Sequence, residues 1–417
     1  MKTSTTQLND ALVLIVDDDP IHLEIVSAIL NTAGYRVKTA SDGRAAVTAA
    51  VESSPDLILL DINIPGLNGY EVCHLLKASE QTRDIPVIFI SALDKTLDKA
   101  RAFSIGGANY MTKPFQAEEV LTLVKTHITL RNLEQQLDNR VAELETLNTR
   151  LQLELGVAHD IQQGLLPSPR PNWPDLDVIC YTQPAREVGG DFYTYYTFDT
   201  RLQRNKKRYA LAIGDVSGKG MPAALLMTIS LASFKNIITQ AYSLNKLITD
   251  LVTKPYSLSK FLTDLDKDIA FYTAATRQNC AMVYIEITKS NTADESTILR
   301  AVNAGCLAPI IRRSDGTIVL VDVGGLPLGV GLSDHLGYQE KVLSLTPGDL
   351  VILASDGVVE ANNNARAMFG FDRLEQAVAR GPQTNAEAML EHLKGEIAAF
   401  VGNTEPHDDI TLVVMQI

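Results

Sequence analysis

Between Leu12 and about His127 the chain alternates five times between a short apolar run and an amphipathic helical stretch, and that alternation leaves few folds open. The runs "ALVLIV", "YRVKTA", "DLILLD", "PVIFIS" and "ANYMT" read as strands. The stretches "PIHLEIVSAILNTAG", "GRAAVTAAVESS", "GYEVCHLLKAS", "LDKARAFSIGG" and "QAEEVLTLVKTHI" repeat apolar residues at helical spacing. Strands separated by helices pair in parallel, because each helix carries the chain back along the sheet. The expected unit is a five-stranded doubly wound sheet, with its site where the carboxyl ends of the strands meet.

Those ends carry chemistry. Asp17 and Asp18 follow the first strand, Asp61 ends the third, Ser91 the fourth, and Lys113 follows the fifth. Three carboxylates and an ammonium suit a magnesium ion and a phosphoryl group: the carboxylates hold the metal, and the lysine supplies a point charge. Asp61 could attack phosphorus as a nucleophile and form an acyl phosphate. Asp61 and Ser91 lie 30 residues apart, Ser91 and Lys113 22.

With these spacings, residues 10–128 resemble a response-regulator receiver domain of flavodoxin-like α/β fold. The resemblance implies that Asp61 is phosphorylated by a histidine kinase or phosphotransfer protein. It implies that Asp17, Asp18, Asp61 and the carbonyl of Asn63 hold magnesium, that Ser91 hydrogen-bonds the phosphoryl group, and that Lys113 pairs with it. Tyr110 would be the aromatic switch that turns inward on activation, and Pro114 would follow a cis peptide bond. Residues 1–9 are expected to be a flexible tail.

From about 129 to 166 the pattern changes to Leu130, Leu133, Leu137, Leu144, Leu147, Leu151, Ala158, Ile161 and Leu165, a 3–4 spacing interrupted at Arg140 and Glu154. No proline breaks it. A coiled-coil linker is the natural reading and would make the chain a homodimer; one long amphipathic helix packed on its own domain is the alternative. The proline-rich "PSPRPNWPDLD" then marks a boundary at 167. Beyond it come many strand-like runs with inserted helix pairs, two after Gly220 and two near 371–380 and 385–401. That order suggests an α+β sandwich over 167–417.

Residues 211–225, "LAIGDVSGKGMPAAL", hold three glycines and a lysine without either nucleotide-loop spacing: only three residues separate Gly214 from Gly218, and Gly220 follows Lys219. What remains is a carboxylate, Asp215, on a sharp turn between a strand and a helix. Similar acids stand in "REVGGDFY" (Asp191), "LASDGVVEA" (Asp356) and "HDDITLVV" (Asp408). One Asp-Gly turn means little; four acids at strand ends are a pattern.

Together with "QQGLLPSPRP", "VNAGCLAPII" and "GGLPLGV", these stretches resemble the SpoIIE-type branch of the metal-dependent, protein phosphatase 2C-like (PPM) serine/threonine phosphatases over about 155–417, whose fold is an αββα sandwich. The resemblance implies that Asp215 bridges two manganese or magnesium ions with help from the Val216 carbonyl. Asp356 and Asp408 complete one ion's shell, Asp191 serves the other directly or through water, and Asp408 is preferred to Asp409. A water acidified by the ions would attack phosphorus in line. Arg186 is either a contact for the substrate phosphate or a plain surface arginine. Thr194 stands where the family often has an aspartate, and Cys306 where it often has a histidine. The stretch 306–312, "CLAPIIR", also fits C-x-x-x-x-x-R, but Pro309 denies it the N–H cradle that a cysteine phosphatase needs.

Composition narrows the rest. The net charge of −13 argues against nucleic acid, and Cys73, Cys180, Cys280 and Cys306 form no C-x-x-C pair, which suits a reducing cytoplasm. No apolar run approaches the roughly 18 residues of a membrane span, so the expectation is a cytoplasmic protein with no membrane contact. The combined reading is a multidomain response regulator in which phosphorylation at Asp61 controls a phosphatase. Family resemblance implies an anti-sigma-factor antagonist as substrate, in a partner-switching pathway. The alternative is a catalytically silent module that binds its partner under phosphorylation control.

Overall fold

The computed structural model describes residues 10–91, 96–199, 206–248, 257–290 and 297–417; the tail expected at 1–9 lies outside the described residues. By internal contacts the chain falls into two compact units, Met1–Thr149 and Arg150–Ile417.

The first unit alternates β1 (Leu12–Val16), α1 (Pro20–Thr32), β2 (Arg36–Ala40), α2 (Gly43–Ser53), β3 (Leu57–Asp61), α3 (Gly69–Ala78), β4 (Val87–Ser91), α4 (Thr96–Ser104) and β5 (Asn109–Thr112), then enters α5 (Ala117–Leu165). The sheet order is β2-β1-β3-β4-β5, and every pairing is parallel. β3 and β4 are buried along their whole length, as a sheet covered on both faces requires. Helix starts are written locally. The Asp19 side chain caps α1 ahead of Pro20, and Asn68 and Glu71 form a reciprocal capping box on α3.

The helix expected at the end of the first unit and the linker helix are one element, the 49 residues of α5. Leu137 and Leu144 are each 63% exposed, and residues 133–150 are exposed on every side.

The second unit carries β6 (Asp177–Gln183), β7 (Phe192–Asp199), β8 (Lys206–Val216), α6 (Met221–Ile248), α7 (Leu258–Thr273), β9 (Cys280–Ser290), β10 (Thr297–Ala304), β11 (Ile310–Arg312), β12 (Ile318–Leu320), α8 (Ser333–Leu336), β13 (Glu340–Leu345), β14 (Leu350–Ala354), α9 (Asp356–Glu360), α10 (Gly370–Arg380), α11 (Ala386–Val401) and β15 (Ile410–Gln416). They build two antiparallel sheets, ordered β13-β10-β9-β8-β7 and β12-β11-β14-β15-β6. Leu211, Ile213 and Val283 of one sheet pack against Val351, Leu353 and Val413 of the other. Phe234 and Phe261 of α6 and α7 cover one outer face, and Leu390 and Leu393 of α11 cover the other. The result is an αββα sandwich.

Two strands were not foreseen. "FYTYYTFD" (β7) and "EKVLSL" (β13) alternate aromatic, threonine or charged residues, a pattern less apolar than its neighbours. The expectation about apolar runs also needs correcting: Met221–Ala241 within α6 is long and apolar enough to cross a membrane. Its Ala223, Leu226, Met227, Phe234 and Ile238 are buried in the sandwich, the packing of a core helix.

Candidate functional sites

In the first unit the carboxyl ends of β1 and β3 bring carboxylate oxygens of Asp17, Asp18 and Asp61 within 4.8 Å of one another. Asp17 and Asp61 are buried and Asp18 is exposed. Lys113 reaches in from the end of β5, with Nζ 2.5 Å from Asp61 Oδ2 and 2.7 Å from Asp17 Oδ2. The Asn63 N–H donates to Asp61 Oδ1 at 3.1 Å. Burial pushes the Asp61 carboxyl above its ordinary range, against the pull of Lys113 and Asn63. Burial works against the Lys113 ammonium too, but its bonds to Asp17 and Asp61 win and raise its pKa. Ser91 and Tyr110 are buried at 4% and 8% exposure, and the Lys113–Pro114 peptide is cis. His22 had no signal in the sequence; its Nδ1 lies 3.0 Å from Lys113 Nζ and 3.3 Å from Asp17 Oδ1.

In the second unit antiparallel pairing gathers the acids at one edge. β7 begins where β8 ends, with Phe192 opposite Gly214, and β15 begins where β14 ends, with Leu412 opposite Ala354. Asp191 therefore precedes β7 beside Asp215 near the end of β8, and Asp356 opens α9 beside the 408–409 turn. Contacts are close enough to exclude side chains. A Cβ on Gly190 would lie 2.7 Å from the Val216 carbonyl oxygen, and one on Gly357 would collide with the Asp409 carbonyl oxygen. Those two glycines let the strand ends converge.

Loss of hydration, then the Asp356 carboxylate beside it, push Asp215 up to about 8. Asp191 is driven far above the ordinary carboxylate range by burial and then by Asp215, while the Ser355 and Thr411 hydroxyls pull the other way. Among the described residues, three carboxylates in one knot occur only in the first unit; here the acids meet in pairs. Asp191 Oδ2 is buried without a hydrogen-bond partner. Hard oxygen donors, mutually repelling and one of them orphaned, are what divalent magnesium or manganese would satisfy, so the residues fit such ions.

Asp408 and Asp409 divide their work. Asp408 is half-buried and lies 3.1 Å from Lys219 Nζ, which also donates to the His407 carbonyl. Gly218 and Gly220, at φ of 96° and 72°, give the tight turn that presents Lys219. Asp409 faces inward: Oδ1 accepts from the Ala185 N–H at 2.7 Å, and Oδ2 accepts from the Gly190 N–H at 2.5 Å. Both of its oxygens are taken by main chain of the 185–191 loop, whereas Asp408 Oδ1 accepts from the neighbouring Asp409 N–H, at 3.0 Å, and its Oδ2 faces Lys219. Gln162 of α5 holds the same loop, donating to the Gly189 carbonyl at 2.7 Å and accepting from the Gly189 N–H at 3.1 Å. Arg186 is exposed on that loop. Arg312 of the rival cysteine motif donates to the carbonyls of Val378 and Gly381, at the end of α10. Loss of hydration and the charges of Asp215 and Asp191 keep the Cys306 thiol protonated.

A five-stranded parallel sheet with an acid–lysine pocket, joined to an αββα sandwich with converging aspartates, defines a response regulator whose output domain is phosphatase 2C-like. Residues 205–417 match the family described as Stage II sporulation protein E (SpoIIE), and residues 13–125 match the response regulator receiver domain. The chain belongs to the SpoIIE family. The SiaA-PP2C domain of Pseudomonas aeruginosa superposes with a TM-score of 0.51 at 19% identity, covering 65% of this chain and 98% of that one. Protein PilG of the same species is 36% identical over 123 residues, 29% of this chain and 91% of PilG. The DNA-binding dual master transcriptional regulator RpaA of Synechocystis sp. is 44% identical over 113 residues, 27% of this chain and 47% of RpaA. The chain thus spans about half the length of several curated relatives it matches.

Proposed function

We propose that this chain is a cytoplasmic response regulator in which phosphorylation of Asp61 controls a metal-dependent protein serine/threonine phosphatase. The observation that carries the reading is the pairing of Asp191 with Asp215 and of Asp215 with Asp356, with the buried Asp191 Oδ2 unsatisfied. We divide the chain into a receiver (10–128), a dimerising linker (129–166) and the phosphatase (167–417).

In the receiver, Asp17, Asp18, Asp61 and the Asn63 carbonyl would hold magnesium. Lys113 holds Asp61 in place and would pair with the phosphoryl group that a histidine kinase or phosphotransfer protein delivers. In the phosphatase, Asp191, Asp215, Asp356, Asp408 and the Val216 carbonyl would hold two manganese or magnesium ions. When bound, the ions supply Lewis acidity that brings water's pKa toward neutrality and offsets phosphate charge. Asp215, between Asp191 and Asp356, gives up a proton to admit them. Asp409 and Gln162 hold the loop that aims Asp191, and Arg186 would contact the substrate phosphate. The substrate would be a phosphoserine or phosphothreonine protein, an anti-sigma-factor antagonist by family analogy.

The test is manganese-dependent hydrolysis of p-nitrophenyl phosphate and a phosphoserine peptide by wild type and Asp215→Asn, each with and without acetyl phosphate. Turnover that Asp215→Asn abolishes is expected, with a rate that changes on acetyl phosphate. Manganese binding without turnover of either substrate would favour the silent binding module.

A further inference from the structure

Beside the acid edge a cavity of about 480 Å³ runs between α9, α11 and the start of β15. Gly357 and Asp408 form its wall on the acid side. Its floor is apolar, built from Ala361, Ile397, Val401 and Ile410. At the rim Lys394 lies 4.5 Å over the Tyr181 ring and 2.8 Å from Glu391. The volume lies in the range of about 300–1,000 Å³ usual for ligand pockets, and a mostly apolar lining with a few polar groups is their usual character.

A second observation concerns Gly395, which also lines the cavity. It sits inside α11, where glycine is a poor helix former. A Cβ there would meet nothing within 4 Å, so packing within the fold does not demand glycine. Its absent side chain widens the cavity instead.

We propose that this cavity receives an apolar side chain of the phosphoprotein substrate, from a residue flanking the phosphoserine. The shared wall carries the argument: whatever fills the cavity lies against Asp408, where the proposed reaction takes place. The inference rests on the phosphatase reading and names the feature by which the enzyme selects its substrate.

The experiment uses the full chain with manganese and phosphoserine peptides bearing Ala, Leu or Phe at each position within three residues of the phosphoserine. Each kcat/KM is taken relative to that for p-nitrophenyl phosphate on the same sample. Leu or Phe at one position should exceed Ala by about tenfold, chiefly through KM. Gly395→Leu and Ala398→Phe, at two exposed positions of α11 that line the cavity, should erase that preference. A flat response at every position, or a preference that survives in both variants, would overturn the proposal. Anisotropy of the same peptides, fluorescently labelled, on Asp215→Asn separates the two readings. Selective binding by a protein whose wild type turns over nothing would keep the cavity's role and sink the hydrolase. Absence of both binding preference and turnover would sink both.

Discussion

Gln162 and Gly189, 27 residues apart, exchange two hydrogen bonds between the glutamine side-chain amide and the N–H and carbonyl of the one glycine. Gln162 is buried at 6% exposure, and His159 one turn earlier contacts the Glu187 carbonyl at 2.7 Å. The last turns of α5 thus grip the loop that ends in Asp191.

Gln162→Leu keeps helix propensity but strips partners from a buried N–H and a buried carbonyl. The expected cost is about 1–3 kcal/mol in stability, with weaker manganese binding because the Asp191 loop loosens. Thermal melting and a manganese titration check both; unchanged values in both would refute the positioning role.

The adjacent aspartates should separate in their effects. Asp409→Asn sets an NH2 group against the N–H of Ala185 or Gly190 and should lower stability by about 1–3 kcal/mol. Asp408→Asn should leave the melting temperature nearly unchanged while weakening divalent-ion affinity at least about tenfold, since losing even an outer-shell partner of a metal ligand costs that much. The reverse pattern would show the two roles exchanged.

Metal-free protein should lose stability as pH rises. The Asp215 carboxyl titrates near 4 when unfolded but at about 8 in the fold, so between those values the folded state holds the extra proton. The contribution of Asp215 is complete below about pH 4 and falls progressively up to about pH 8, by at most about 1.4 kcal/mol per pH unit for one proton. Asp191 adds a slope of the same sign. Saturating manganese should flatten the profile, and Asp215→Asn should reduce its slope. Melting curves from pH 5 to 9 provide the check.

Much of this was legible in one dimension. Strand ends in a parallel sheet lie at one edge by topology alone, so Asp17, Asp61, Ser91 and Lys113 could be grouped from spacing. Asp191, Asp215, Asp356 and Asp408 were readable because each flanks a strand-like run. Partners made by folding were not. Asp409 reads as a second aspartate of a pair, yet its partner Gly190 lies 219 residues away. Gln162 reads as a polar residue of a helix repeat, and Lys219 as turn filler. Nothing in their local sequence encodes those contacts. The change of pattern near 128 reads as a boundary between two helices, yet α5 runs through it because no proline or glycine pair stands there to stop it.

In the receiver, Lys113→Met removes the ammonium that bonds Asp61 and Asp17. Phosphate incorporation from acetyl phosphate should persist or fall modestly, while its effect on phosphatase rate is lost. Asp61→Asn should lose incorporation as well. Radiolabel uptake and turnover measured together distinguish the two, and an unaltered response in Lys113→Met would remove the lysine from the signalling path.

The exposed leucines of α5 predict self-association. Leu137→Asp with Leu144→Asp, seven residues apart on one stripe, should convert a dimer to a monomer in sedimentation equilibrium. Melting of the sandwich should be unaffected, since neither side chain is buried within one chain. A wild-type monomer would exclude the coiled-coil reading.

Asp409 recognises the 185–191 loop through peptide N–H groups alone. Main-chain recognition does not read the outward-facing side chains of the loop, although it leaves no room for a Cβ on Gly189 or Gly190. Glu187 is exposed there and bonds through its carbonyl, so its side chain can change while the backbone of the loop keeps the same path. A new client protein could then be acquired by changing outward-facing letters, with the inherited chemistry left in place.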